Sequence, residues 1–275
     1  MLFGFPIGDL AMFAGALALA GVVAGLAAGL LGVGGGAVMV PVLFQFFELL
    51  GIDPDVCMHL ALGTSLGIIV PTSVRSFRAH QQRGAVDMEL LKAWIVPVIL
   101  GVAGASLIAA WISGAGLRAI FAIIALAVAV KLFFAKADWR LGDDIPGGIW
   151  RPVFGFVIGF FSTLMGIGGG TFNNTLMTLY NRPMHQAVAT SSGLGFLIAV
   201  PATLGFIYAG WGKPDLPPFS LGYVNFLGIL LVIPTSMYFA PLGAKVAHSL
   251  SRRRLEMAFA IFLTIVSVRF FISLM

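Results

Sequence analysis

Gly32-Val33-Gly34-Gly35-Gly36 interrupts a long apolar stretch, and Gly166-Ile167-Gly168-Gly169-Gly170 repeats the interruption 134 residues later. The surroundings decide how these runs are read. The 275-residue chain is 59% hydrophobic and only 10% charged, with a mean hydropathy of +1.02. Soluble domains carry about a quarter charged residues, and many apolar stretches here approach the ~20 residues needed to cross a bilayer. The composition is that of an all-α, polytopic helical membrane protein. In lipid, backbone that leaves the helix finds no water, so a break persists only where protein or a wet cavity satisfies it. Three consecutive glycines, each costing about 1 kcal/mol in a helix, point to a required break rather than a packing seam. Isolated pairs such as Gly101 and Gly104 read instead as close-packing positions.

Charge sets the topology. Twelve of the 16 basic residues fall in three patches: Arg75, Arg78, Arg83 and Lys92; Lys131, Lys136, Arg140 and Arg151; Lys245, Arg252, Arg253 and Arg254. Their place between apolar segments marks the cytoplasmic side and suits anionic membrane lipid, not nucleic acid, as partner of the net charge of +5. Spans are then expected near residues 57–75, 93–112, 117–134, 185–209, 220–244 and 255–274. The Gly-broken segments, near 10–50 and 150–180, must each cross an even number of times. Each reads as a hairpin, with two full spans giving the same parity. One hairpin plus three spans per half turns the second half upside down, an inverted-topology repeat. The division is 1–135 for the first repeat, 136–150 for a cytoplasmic linker and 151–275 for the second. No Lys or Arg precedes Arg75, so the first apolar stretch is expected to stay in the mature chain.

The repeat is visible in the letters. Gly25–Gly36 and Gly159–Gly170 agree at six of 12 positions, and His59–Gly67 and His185–Gly193 at five of nine. The second block shares His, Ala, Thr, Ser and Gly. The helix that follows each glycine run would begin near mid-membrane, with first-turn amides unpaired and an effective charge of about +0.5. Two such ends form an anion site without any buried lysine or arginine, and the glycines allow close approach of a ligand. The expected substrate contacts are Gly34, Gly35, Gly36, Thr64 and Ser65 in the first half. In the second they are Gly168, Gly169, Gly170, Thr171, Asn173, Asn174, Thr190 and Ser191. Val38 and Met39 occupy the places of the polar residues after the second run, so the site should be lopsided. Hydroxyls in membrane helices also bond back to their own backbone, an equally available role for the Thr-Ser pairs. His59 and His185 are read as structural.

Enzyme chemistry has little to stand on. The single cysteine, Cys57, excludes an internal disulfide and a Cys-based metal cluster, and the four histidines are scattered. No metal or cofactor is expected, and no carboxylate relay lies well inside a span.

The doubled G-x-G-G-G, the first followed by Pro41, and the doubled A-x-[GA]-T-S (Ala61–Ser65, Ala187–Ser191) resemble the TauE/SafE family of sulfite and organosulfonate exporters. The resemblance covers essentially the whole chain. It implies an integral plasma-membrane carrier that exports small sulfur-bearing or carboxylate anions by alternating access; cation carriers and membrane-embedded enzymes are the rival classes. One departure is Thr175, opposite Pro41, with two asparagines before it. Oligomeric state is open: monomer and homo-oligomer are both compatible with the sequence.

Overall fold

The computed structural model describes residues 7–31, 36–134, 140–214, 216–248 and 252–274. Ten helices occupy them: α1 (Ile7–Leu31), α2 (Gly36–Leu49), α3 (Pro54–Gln82), α4 (Met88–Trp111), α5 (Gly114–Phe134), α6 (Trp150–Leu164), α7 (Gly170–Leu179), α8 (Met184–Ala209), α9 (Phe226–His248) and α10 (Arg252–Ile272). The chain is thus a polytopic helical membrane protein. Five helices among the described residues are long and apolar enough to cross a membrane: α3, α4, α5, α8 and most of α10. Three others are not. α2, α6 and α7 have 14, 15 and 10 residues, or about 21, 22 and 15 Å of helix against a hydrocarbon core of ~30 Å.

Helix starts follow from local chemistry. Asp53 caps α3, its carboxylate accepting from Asp55 N at 2.8 Å, with Pro54 in the first turn. Asp87 caps α4 through Leu90 N at 3.0 Å, and Asn225 caps α9 through Gly228 N at 2.7 Å. The ends of α6 and α7 share one device. Ile167 N donates to Ser162 O and Gly166 N to Thr163 O, with Gly166 at φ 62°. Arg182 N donates to Met177 O and Asn181 N to Thr178 O, with Asn181 at φ 60°. Both are Schellman closures that need a left-handed residue just past the helix.

Every major packing pair joins one helix from each half: α1 with α9, α4 with α6, α3 with α8 and α5 with α10. Exchanging the first five helices for the last five leaves this set unchanged. Contacts along the pairs give directions. Phe77 and Gly63 of α3 meet Gly193 and Phe206 of α8, so these two cross antiparallel. α5 and α10 are also antiparallel, because Arg253 Nη1 reaches Leu132 O at 2.9 Å while Arg118 Nη1 reaches Ser273 Oγ at 3.1 Å. α4 and α6 run parallel. Gly155 packs on Trp94 and Gly159 on Val98, four residues further along both helices, and a Cβ on Gly101 would collide with Phe156 O and one on Gly159 with Val98 O. Gly101 is therefore the packing glycine the sequence suggested, and Gly104 lies opposite the Phe160 ring.

Two local features depart from the sequence reading. Residues 220–225 do not open a span but form a small antiparallel hairpin, β1 (Ser220–Leu221) and β2 (Val224–Asn225). Gly222, at φ 53°, makes the turn and sits against the carbonyl of Ile207. Arg75 and Arg78 belong to α3 itself, which runs on to Gln82 before the chain turns.

Candidate functional site

The break between α6 and α7 is built from left-handed backbone. Gly166 has φ 62° and Gly169 φ 76°, conformations that L-residues with a Cβ rarely adopt. The turn is wedged against α3 and α8: a Cβ on Gly168 would stand 2.9 Å from the Ile69 side chain, and one on Gly169 2.7 Å from Ile198. Ser65, fully buried on α3, donates its hydroxyl to Gly166 O at 2.8 Å. The first intrahelical bond of α7 runs from Asn173 N to Gly169 O, 2.9 Å. The amides of Gly170, Thr171 and Phe172 precede it and have no intrahelical acceptor.

Gly170 and Thr171 border a cavity of about 250 Å³. From the turn and α7 it is lined by Ile167, Gly168, Gly170, Thr171 and Asn174. α8 adds Val188, Ser191, Ser192 and Gly195; α3 adds Ile69, Thr72, Ser73 and Ser76; Gly36, the first residue of α2, closes one side. No charged side chain is in this lining. The lining of α3 lies within its last four turns, toward Arg75, Arg78 and Arg83. At the opposite end of the α3–α8 crossing there is protein instead. The β-hairpin seats Tyr223 on His59, ring centroids 4.5 Å apart, and a Cβ on Gly63 would collide with Tyr223 O.

The sequence-named residues divide. Gly36, Gly168, Gly170, Thr171, Asn174 and Ser191 line the cavity together. Asn173 is fully buried behind it, donating Nδ2 to Ser191 Oγ at 2.7 Å, while Ser191 donates to Asn174 Oδ1 at 2.7 Å. Asn173 Oδ1 has no protein partner, and Asn174 lines the cavity with its Oδ1 taken by Ser191. Thr64, Ser65 and Thr190 do not line it. Thr64 Oγ1 accepts from Asn225 N and Thr190 Oγ1 from Asp87 N, both at 3.0 Å. Gly34 and Gly35 lie outside the described residues. Val38 and Met39 are buried in the core, but α3 supplies Thr72, Ser73 and Ser76, so both halves contribute polar groups to the lining.

His59 is buried with its ring nitrogens 3.0 Å from Asp55 O and 3.1 Å from Ala109 O and Ile112 O, a structural placement; His185 is exposed. Sequence reasoning missed Thr72, Ser73 and Ser76. The only signal was a cluster of hydroxyls just past Pro71, and two of them bond back to their own helix, Thr72 to Ile68 O and Ser73 to Val70 O, both at 3.0 Å.

A family model for the sulfite exporter TauE/SafE matches residues 17–270. The chain belongs to the TauE/SafE family. Several relatives match over most of both chains. A probable membrane transporter protein of Haemophilus influenzae is 30% identical over 93% of this chain and 97% of its own. Another from Bacillus subtilis, YunE, is 27% identical over 91% and 94%, and one from Methanocaldococcus jannaschii 25% identical over 87% and 88%. No solved structure matches. This TauE/SafE protein is accordingly a multi-pass membrane transporter, a class whose work needs a small-molecule substrate and a lipid surround.

Proposed function

We propose that this TauE/SafE protein exports small anions of the sulfite or organosulfonate kind across the plasma membrane by alternating access. The observation that carries the reading is the cavity: unpaired amides of a short helix, together with Thr171, Asn174 and Ser191, converge on about 250 Å³ lined by no charged side chain. Donors aimed into such a recess stabilise an anion without a fixed counter-charge.

The conformation corresponds to an inward-facing state. The recess lies on the side of the Arg75 patch, the cytoplasmic side by the distribution of basic residues, and the β-hairpin fills the far side. Antiparallel α3/α8 and α5/α10 support two inverted repeats, residues 1–135 and 151–275, joined by the linker 136–150. Membrane potential favours export: moving one negative charge out of a negative interior releases about 2.3 kcal/mol per 100 mV.

Purified protein titrated with sulfite, sulfoacetate, small carboxylates and divalent cations tests this reading, followed by flux in proteoliposomes under an imposed potential. Sulfite or sulfoacetate should bind and move, and well-inserted Gly169→Leu and Asn173→Ala variants should lose most of that flux. Binding of cations alone, or wild-type flux in both variants, overturns it.

A further inference from the structure

The repeated Thr-Ser pairs were expected to line the substrate path, yet three of the four hydroxyl positions named in them stand off the cavity. We infer that Ser65 is a positioning residue for the α7 site: it contacts no ligand, and acts by fixing the carbonyl of Gly166. The inference rests on the anion-carrier reading for what the turn does, but its geometry is independent of the cargo.

Gly166 is the left-handed residue that closes α6, so its own carbonyl points out of the Schellman closure with no helical donor to meet it. Ser65 supplies that donor at 2.8 Å from 101 residues away, and both ends of the bond are shut off from solvent. Three residues on, Gly169 turns left-handed again and α7 begins. The direction of the Gly170, Thr171 and Phe172 amides is therefore set by a four-residue turn pinned at one end by Ser65. Without the hydroxyl, a buried carbonyl loses its partner and the peptide plane is free to rotate toward another donor.

Thr64, its neighbour, does different work. Its oxygen accepts the backbone N–H of Asn225, the cap of α9, as Thr190 accepts that of Asp87, the cap of α4. These contacts join helices across the two halves and leave the turn untouched. Ser191 is the exception of the four, since it touches α7 directly through Asn173 and Asn174.

Ser65→Thr and Ser65→Val differ only in the hydroxyl, and Ser65→Ala adds no bulk. Full-length protein in detergent would be compared by amide hydrogen exchange across residues 166–172 and by titration with sulfite and with sulfoacetate. Ser65→Val and Ser65→Ala should exchange faster in that segment and bind the preferred anion roughly tenfold more weakly, the effect of one misdirected donor set. Ser65→Thr should stay within about threefold of wild type. Thr64→Val should lower the melting temperature with exchange at 166–172 and affinity unchanged. Wild-type exchange in Ser65→Val and Ser65→Ala overturns the proposal. If wild-type protein takes neither anion, the transport reading fails while the exchange comparison still decides the role of Ser65.

Discussion

The two ends of the α3–α8 crossing are built from corresponding parts and finished differently. At one end Thr64 accepts from Asn225, and Asn225 is fully buried, with Nδ2 donating to Pro218 O and Ser220 Oγ, both at 2.9 Å. The side chains of that network are neutral and tie the β-hairpin to α3 and α9. At the other end Thr190 accepts from Asp87, a carboxylate that stands 3.8 Å from Arg182, which in turn holds Asp144 at 2.7 Å. The first arrangement is dry and closed; the second is ionic and adjoins the cavity. Unmaking a neutral buried network orphans several polar groups at once, whereas a part-exposed ion pair exchanges partners at small cost. The difference teaches that the two faces have unequal resistance to opening.

That inequality can be broken experimentally. Asn225→Ala removes a helix cap and orphans buried groups, so it should destabilise the protein by about 3 kcal/mol, read as a fall in melting temperature in detergent. Thr64→Val takes away one acceptor and should cost about 1–2 kcal/mol by the same assay. Thr190→Val should cost less, about 1 kcal/mol, because the Asp87 amide lies at a part-buried position near the polar cavity. Asp87→Asn keeps the cap oxygen for Leu90 and deletes only the charge facing Arg182. Its effect should be below about 1 kcal/mol and vanish in high salt. A loss at Asp87 as large as that at Asn225 would mean the two ends are equally tight.

Much of the scaffold was legible in the letters. Hydropathy and basic patches located all six long helices outside the hairpins, since a bilayer imposes length and positive residues mark one face. The left-handed backbone at Gly166 and Gly169 was likewise implied by the glycine run. Thr64 and Thr190 turn away from the cavity to partners, Asn225 and Asp87, that lie 161 and 103 residues away. No local pattern reports such a bond. The hydroxyls after Pro71 escaped notice because a serine facing a cavity and one bonding to its own helix look alike in sequence. The linker was read as a joint, yet its described part grips α7: Leu141 N donates to Leu179 O at 2.8 Å and Ile145 is buried.

The glycine contacts between α4 and α6 carry one more consequence. Backbone meets backbone at Gly101 and Gly159, and in the same way Gly25 of α1 abuts the backbone of Ser236 in α9. At these points no side chain stands between the two backbones. Any motion that preserves them carries α6 with α4 and α1 with α9, so the pieces that travel intact are woven from both halves. In this molecule the seams of closest backbone contact run between the two halves of the sequence rather than within them.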